Sequence, residues 1–287
     1  MIRLSSILLG LLLLCSCEKM PIDGVEDDTS RPVEGNVTVR LSTYDKTSVT
    51  RSGDDVPTQV PCNRFNLSIF DEYGNKVASE AQKYNDNDFG KMSFNLSEGT
   101  YTIVAIGHSK DNSVPISNMN KVEFSGGLTD VFYCAASLKV DDEPQTLELN
   151  LKRAVGVFQL AGTDKSVPSE IAQLQFKYTG GSQNFNPSNG YGCTKSTQTE
   201  NREISISGRY NIYTFPREDS NTLNITLYGK DSNEETVFER VFENVPIQVN
   251  VMTVYTGEIF NLSSFMNKST VNITVDRSFD AINDYNF

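Results

Sequence analysis

Asn95-Leu-Ser-Glu-Gly-Thr-Tyr-Thr-Ile-Val-Ala-Ile106 decides how this chain folds. A turn built on Ser97, Glu98 and Gly99 is followed at once by Tyr101 and an apolar run, Ile103 to Ile106. Glycine supplies the turn, and β-branched residues with an aromatic favour a strand buried in a sheet. A tyrosine at the start of such a strand can lay its ring across the sheet edge while its hydroxyl reaches back to a main-chain carbonyl, as in a tyrosine corner. The stretch therefore predicts a turn, a buried strand and a β-sandwich around it.

The flanking sequence repeats the pattern. Val37, Val39 and Leu41 alternate with polar residues, as do Phe65, Leu67 and Ile69, Met92, Phe94 and Leu96, and Leu147, Leu149 and Leu151. Between them, Val122 with Phe124, Thr129–Cys134 and Leu138–Val140 read as further short strands, and Asp71-Glu72-Tyr73-Gly74-Asn75 as a hairpin turn. After Lys152-Arg153 a second apolar run begins, from Ala154 to Leu160. Leu174, Phe176 and Tyr178 alternate, a polar loop runs from Gly180 to Arg202, and strands are expected at Ile204–Ile206, Tyr210–Phe215, Leu223–Tyr228, Thr236–Phe242, Met252–Phe260 and Val271–Val275. No stretch carries a convincing helix of two turns. Short strands about ten residues apart, separated by turn residues, mean an all-β sandwich. A seven-stranded sandwich takes about 100 residues, so two modules meeting near Arg153 account for the length. The boundaries are 36–152 and 153–287.

The amino terminus has a different character. Met1 to Cys17 carries Arg3, an apolar run from Ile7 to Leu14 and the ending Leu14-Cys15-Ser16-Cys17. That is the layout of a secretory signal peptide, and the apolar run is too short to remain as a membrane-spanning helix. The ending resembles a bacterial lipobox, which implies cleavage after residue 16 and acylation of the Cys17 thiol. Residues 17–35 are acid-rich, with Pro and Gly and no apolar period, and read as a flexible tether. The formal charge of −12 argues against nucleic acid or an anionic lipid surface as partner.

Catalytic chemistry finds little to work with. His108 is the single histidine, no GxSxG elbow accompanies it, and a strand-end structural role fits it better than a triad. The acid pairs Asp54-Asp55 and Asp141-Asp142-Glu143 lie in turns without the spacing of a calcium loop. Cys62, Cys134 and Cys193 have no CxxC spacing; they read as small buried apolar residues, and which pair, if any, forms a disulfide is open. No metal, phosphate or dinucleotide signature is present, so no cofactor is expected. A glycan platform would need exposed aromatic faces. Tryptophan is absent, and Phe185, Tyr191 and Tyr210 beside the Gly/Asn-rich loop fit core or edge positions better.

Several strings taken together resemble a known group: LLLCSC at residues 12–17, FNLSEGTYTIVAIGHS at 94–109, TDVFYCAASLKV at 129–140, LELNLKRAVGVFQL at 147–160, FENVPIQVNVMTVYTGEIF at 242–260 and the terminal VNITVDRSFD. In order and flavour they resemble the fimbrillin superfamily of Bacteroidota, and within it the anchor-type fimbrial lipoprotein subunits. The resemblance implies two tandem transthyretin-like, Greek-key β-sandwich domains, export to the outer membrane as a lipoprotein, and assembly with other fimbrial subunits by donor-strand exchange. In shaft and tip subunits of that group a protease removes the N-terminal strand after an arginine, whereas anchors keep both lipid and strand. Of Arg31, Arg40 and Arg51, Arg31 precedes Pro32 and Arg40 lies inside the expected strand, which leaves Arg51 as the candidate processing site. The expected function is a non-enzymatic surface lipoprotein that anchors or caps a fimbrium and supports adhesion to a host or bacterial surface ligand. The competing reading is a glycan-binding lipoprotein of a polysaccharide-uptake system.

Overall fold

The computed structural model describes residues 35–43, 62–261, 271–274 and 281–286. These belong to one compact unit, Glu34–Phe287, and are all-β, with no helix among the described residues. The first half carries β1 (Val37–Thr43), β2 (Arg64–Phe70), β3 (Lys76–Lys83), β4 (Lys91–Phe94), β5 (Gly99–His108), β6 (Val122–Glu123), β7 (Val131–Val140) and β8 (Gln145–Arg153). The second carries β9 (Gly156–Gly162), β10 (Gln173–Thr179), β11 (Asn184–Asn186), β12 (Tyr191–Gly192), β13 (Gln198–Glu203), β14 (Arg209–Thr214), β15 (Thr222–Lys230), β16 (Thr236–Pro246), β17 (Val251–Gly257), β18 (Val271–Thr274) and β19 (Ala281–Asn286).

One pairing pattern occurs twice. In the first half, β1 lies between β4, antiparallel, and β8, parallel, while β3, β2, β5 and β7 form a four-stranded antiparallel run. In the second, β9 lies between β14, antiparallel, and β17, parallel, while β13, β10, β15 and β16 form the corresponding run. The halves then diverge. β7 meets β8 at Phe132–Arg153 and Tyr133–Lys152, joining the first half into one seven-stranded sheet. In the second half, β19 adds parallel to β17 and β18 adds outside it.

Three apolar clusters result. Val37, Val39, Phe65, Leu67, Ile69, Met92, Ile103, Leu149 and Leu151 fill the first sandwich. Phe158, Leu160, Leu174, Phe176, Ile212, Ile225, Leu227 and Tyr255 fill the second. The third lies on the other side of β2, β5 and β7: Phe70, Val104, Ile106, Val131 and Tyr133 meet the 114–128 loop, the joint residues Ala154 and Val155, and Phe185 and Phe215 from the second half. The rings interlock, with Tyr133 and Phe185 at 4.6 Å, Phe185 and Phe215 at 4.9 Å, and Phe124 and Phe215 at 5.1 Å between centroids. β6 pairs with β11 beside this cluster, so main-chain hydrogen bonds also link the halves.

The residues that predicted the fold do what their chemistry suggests. The Tyr101 hydroxyl donates to the Ser97 carbonyl at 2.9 Å, closing the expected corner. At the β2–β3 tip, Asp71 Oδ1 accepts from the Tyr73 and Asn75 N–H groups at 3.0 and 2.8 Å, and Gly74 takes φ +81°. The β15–β16 tip repeats this arrangement with Asp231, which accepts from Asn233 and Glu235, while Glu234 takes the left-handed conformation at φ 64°.

Three expectations are corrected. No strand forms at Ile204–Ile206: these residues lead into a turn closed by Gly208 N–H to Ser205 O at 3.0 Å, and Ile206 projects into solvent. The strand lies just before it, at β13, whose inward residues Gln198, Glu200 and Arg202 are polar and so gave no apolar alternation. The loop expected from Gly180 to Arg202 therefore holds β11, β12 and most of β13. Thr129–Cys134 and Leu138–Val140 belong to one continuous strand, β7.

The third cluster yields a prediction. Phe185 is fully buried between Tyr133 and Phe215. Phe185→Ala should cost about 3–5 kcal/mol in urea unfolding and loosen the contact between halves, read as faster hydrogen exchange at β6 and β11.

Candidate assembly interface

Strand β1 is held on every side. Seven residue pairs run parallel to β8, from Val37 opposite Gln145 to Thr43 opposite Leu151, and four run antiparallel to β4. Val37 and Val39 point into the first core and are fully buried, which stabilises by about 1.5–3 kcal/mol for each side chain. At its start, Asn36 is locked in place: Nδ2 donates to Leu96 O at 2.7 Å, Oδ1 accepts from Leu96 N–H at 2.9 Å, and its carbonyl accepts from Gln145 N–H at 2.8 Å. Gly35 lies so close to Phe94 that a Cβ would stand 2.3 Å from the Phe94 carbonyl oxygen, so no other residue fits without backbone movement. At its end, Leu41 N–H donates to Gly90 O at 2.7 Å.

The carboxy-terminal strand β19 is held on two sides, parallel to β17 from Val251–Ala281 to Thr256–Asn286 and antiparallel to β18. Tyr285 packs against Tyr255, with ring centroids 4.6 Å apart. The described outer strands are β3, β4 and β6 in the first half and β12, β13, β14, β16 and β18 in the second. β16 is the longest of these, and its solvent face alternates Val237, Glu239, Val241 and Glu243.

The joint between halves is polar and well bonded. Arg153 forks onto Asp130, with Nε to Oδ1 at 2.8 Å and Nη2 to Oδ2 at 2.9 Å, and its Nη1 donates to Asn250 Oδ1 at 2.7 Å. The guanidinium also stands over the Phe132 ring at 4.9 Å. Both partners of the pair are mostly buried, so removing either would strand a charge. Asn250 takes φ 58°, a conformation that asparagine tolerates, and its N–H donates to Val155 O at 2.9 Å.

Cys17 and Arg51 lie outside the described residues, as do Asp54 and Asp55. His108 ends β5 and is fully buried. Its Nδ1 accepts from Lys110 N–H at 3.1 Å, and Nε2 lies 3.0 Å from the Asn66 amide. Burial first, then the Arg64 and Lys110 charges, push its pKa down to about 4. No nucleophile stands beside either ring nitrogen in these contacts.

Cys62, Cys134 and Cys193 are free thiols. Cys62 is buried as expected, Cys134 is half-buried, and Cys193 is exposed, which corrects the reading of all three as core residues. Burial raises the pKa of each. Among the described residues, no three His, Cys, Asp or Glu side chains converge as a metal site would require. Of the three aromatics considered for a glycan platform, Phe185 and Tyr210 are buried and only Tyr191 is partly exposed.

One buried polar cluster had no signal in the sequence. Tyr178 OH donates to Glu200 Oε1 at 2.5 Å and stands 2.8 Å from Gln198 Oε1, and Arg202 pairs with Glu200. Every member is matched, and Glu200 abuts Gly127 of the first half, where a Cβ would come within 2.8 Å of its carboxylate. The cluster closes the seam between halves. A cleft of about 320 Å³ lies elsewhere, lined by residues from 162 to 167, 204 to 208 and 259–260, and its one carboxylate, Asp164, is occupied by the Ile259 and Phe260 N–H groups at 2.6 and 2.9 Å.

A family model for fimbrillin-A associated anchor proteins Mfa1 and Mfa2 matches residues 26–284. No curated protein sequence matches the chain. Among solved structures, the chain is similar to the fimbrial anchor protein Mfa2 from Porphyromonas gingivalis, at 12% identity over 87% of this chain and 88% of that one, with a TM-score of 0.44. It is similar to a fimbrial assembly protein from Parabacteroides distasonis, at 11% identity over 82% and 93% and a TM-score of 0.44. It is also similar to a candidate polysaccharide-binding protein from Bacteroides thetaiotaomicron, at 13% identity over 87% and 89% and a TM-score of 0.46.

The buried histidine makes stability depend on pH. Its folded pKa lies below the unfolded value, so the neutral ring stabilises the fold above about pH 6.5, and that contribution is lost as pH falls towards 4. Urea titrations at about pH 7.5 and 4.5 should show the wild type losing about 2–3 kcal/mol more than His108→Gln over that interval.

Proposed function

The chain belongs to the family of fimbrillin-A associated anchor proteins, and on that premise we propose that it is a non-enzymatic fimbrial subunit fixed to the outer membrane through an acylated Cys17. Its body is two tandem transthyretin-like β-sandwich domains, 36–152 and 153–287, preceded by a signal peptide, 1–16, and a tether, 17–35. The observation that carries this reading is the seating of β1 at the centre of its three strands, with Val37 and Val39 in the core and Asn36 locked to Leu96. A strand that follows a lipidated cysteine and is built into the sheet couples the membrane to the folded body. A subunit destined to accept a neighbour's strand must instead give this strand up, at the expense of the first core.

The partners on this reading are other fimbrial subunits, joined by strand exchange, and the assembled fibre supports adhesion. Arg51, in the stretch after β1, is where processing would release the strand if the chain polymerised. The doubled pairing pattern and the two separate cores support a tandem arrangement of like domains.

The mature amino terminus on cells tests the proposal. Mass spectrometry of the membrane-extracted protein should find a diacylated or triacylated Cys17, and Cys17→Ala should release the protein from the membrane fraction. A mature chain beginning near Ser52 would sink the anchor reading in favour of a polymerising subunit.

A further inference from the structure

We infer that β1 is a shear clamp: it carries tension between the tether and the second half of the chain by loading its two ladders lengthwise. The inference rests on the anchor reading, since only a membrane-held amino terminus would place β1 under load. It comes from strand direction. Val37 stands opposite Gln145, the first residue of β8, and Thr43 stands opposite Leu151, near the end of β8. β8 then continues through Arg153 and the joint into β9. A pull arriving at Asn36 draws β1 towards its amino-terminal end, while a load on the second half draws β8 towards its carboxy-terminal end. The strands are parallel, so these are opposite ends of one ladder, and the ladder is sheared along its roughly 20 Å length. In shear, the main-chain bonds between β1 and β8 share the load, and so do those to β4 on the other flank. Pulled apart from one end, the same bonds would break in turn.

The entry point is reinforced where the load is received. Asn36 adds two side-chain bonds to the Leu96 main chain, and its carbonyl holds Gln145 N–H. Gly35 lets the incoming chain press against Phe94. Beyond the clamp, the Arg153 fork onto Asp130 and its bond to Asn250 tie the β8–β9 crossing to both sides of the joint. These groups lie along the route from β1 to β9.

Single-molecule pulling on the mature chain tests the clamp, with one handle at the amino-terminal residue. In the first arm the other handle is Ser232→Cys, at the exposed tip of the β15–β16 hairpin; in the second it is Thr146→Cys, exposed at the start of β8 and opposite Thr38. Cys193→Ser removes the exposed native thiol in both arms. Release of β1 frees the chain up to β2 and lengthens the molecule by about 90 Å. This step should need several-fold more force in the first arm than in the second, and Asn36→Ala should lower the first-arm force. Equal forces in the two arms, or another element yielding in the first arm while β1 stays seated, would overturn the clamp. If Cys17 proves to be unlipidated on cells, the anchor reading fails, yet the force ratio still reports on the clamp itself, so the two failures can be told apart.

Discussion

At the centre of the first four-stranded run, β2 and the second half of β5 have no face to spare. Phe65, Leu67 and Ile69 of β2 turn to the first core while Asn66, Ser68 and Phe70 are buried on the other side, and β5 is buried continuously from Ile103 to His108. A sheet apolar on both faces must be covered on both. One cover is β1 with β4 and β8; the other is the 114–128 loop together with Phe185 and Phe215 of the second half. Packing the halves together is therefore a consequence of what β5 is made of. Main-chain groups of the covering loop are then satisfied locally, as where Ser68 Oγ donates to Ile116 O at 2.9 Å.

The same constraint explains why the polar residues of the seam are as they are. His108, at the end of β5, is enclosed by the cover and stays neutral. Arg153 and Asp130 sit where β7, β8 and β9 converge, out of bulk water, and offset each other through a bidentate contact. Glu200 is buried beside Gly127 and is matched by Tyr178 and Arg202. These groups resemble a catalytic inventory when counted, but each is consumed by a neighbour. The second four-stranded run differs. Leu174, Phe176 and Tyr178 point inward, while Gln173, Gln175 and Lys177 lie on its solvent face, so it needs only one cover.

The first and last described strands both enter sheets, but unequally. β1 is flanked by β4 and β8, whereas β19 is flanked by β17 and the short β18. That asymmetry seats β1 firmly and leaves the other described outer strands, β16 foremost, as main-chain edges on which another strand could pair. Membership of a fimbrial anchor family implies association with other fimbrial subunits.

Much of the fold was legible in the residues. Alternation marked β1, β2, β8 and β10, the run from Ile103 marked a buried strand, and Tyr101 announced its own corner. β13 stayed hidden because its inward side chains are Gln198, Glu200 and Arg202, and a pattern of apolar residues cannot reveal a strand whose core is a hydrogen-bond network. The candidate interface was legible only in outline: the two terminal alternations were visible, but neither their partners nor the lock at Asn36 was. By itself, the sequence determined most of the strands and which of their faces are apolar, because side-chain period and turn chemistry are local. The tertiary structure decided the parallel seating of β1 on β8, the loop cover over β5 and the Arg153 joint, because each depends on residues far apart in the chain meeting at one place.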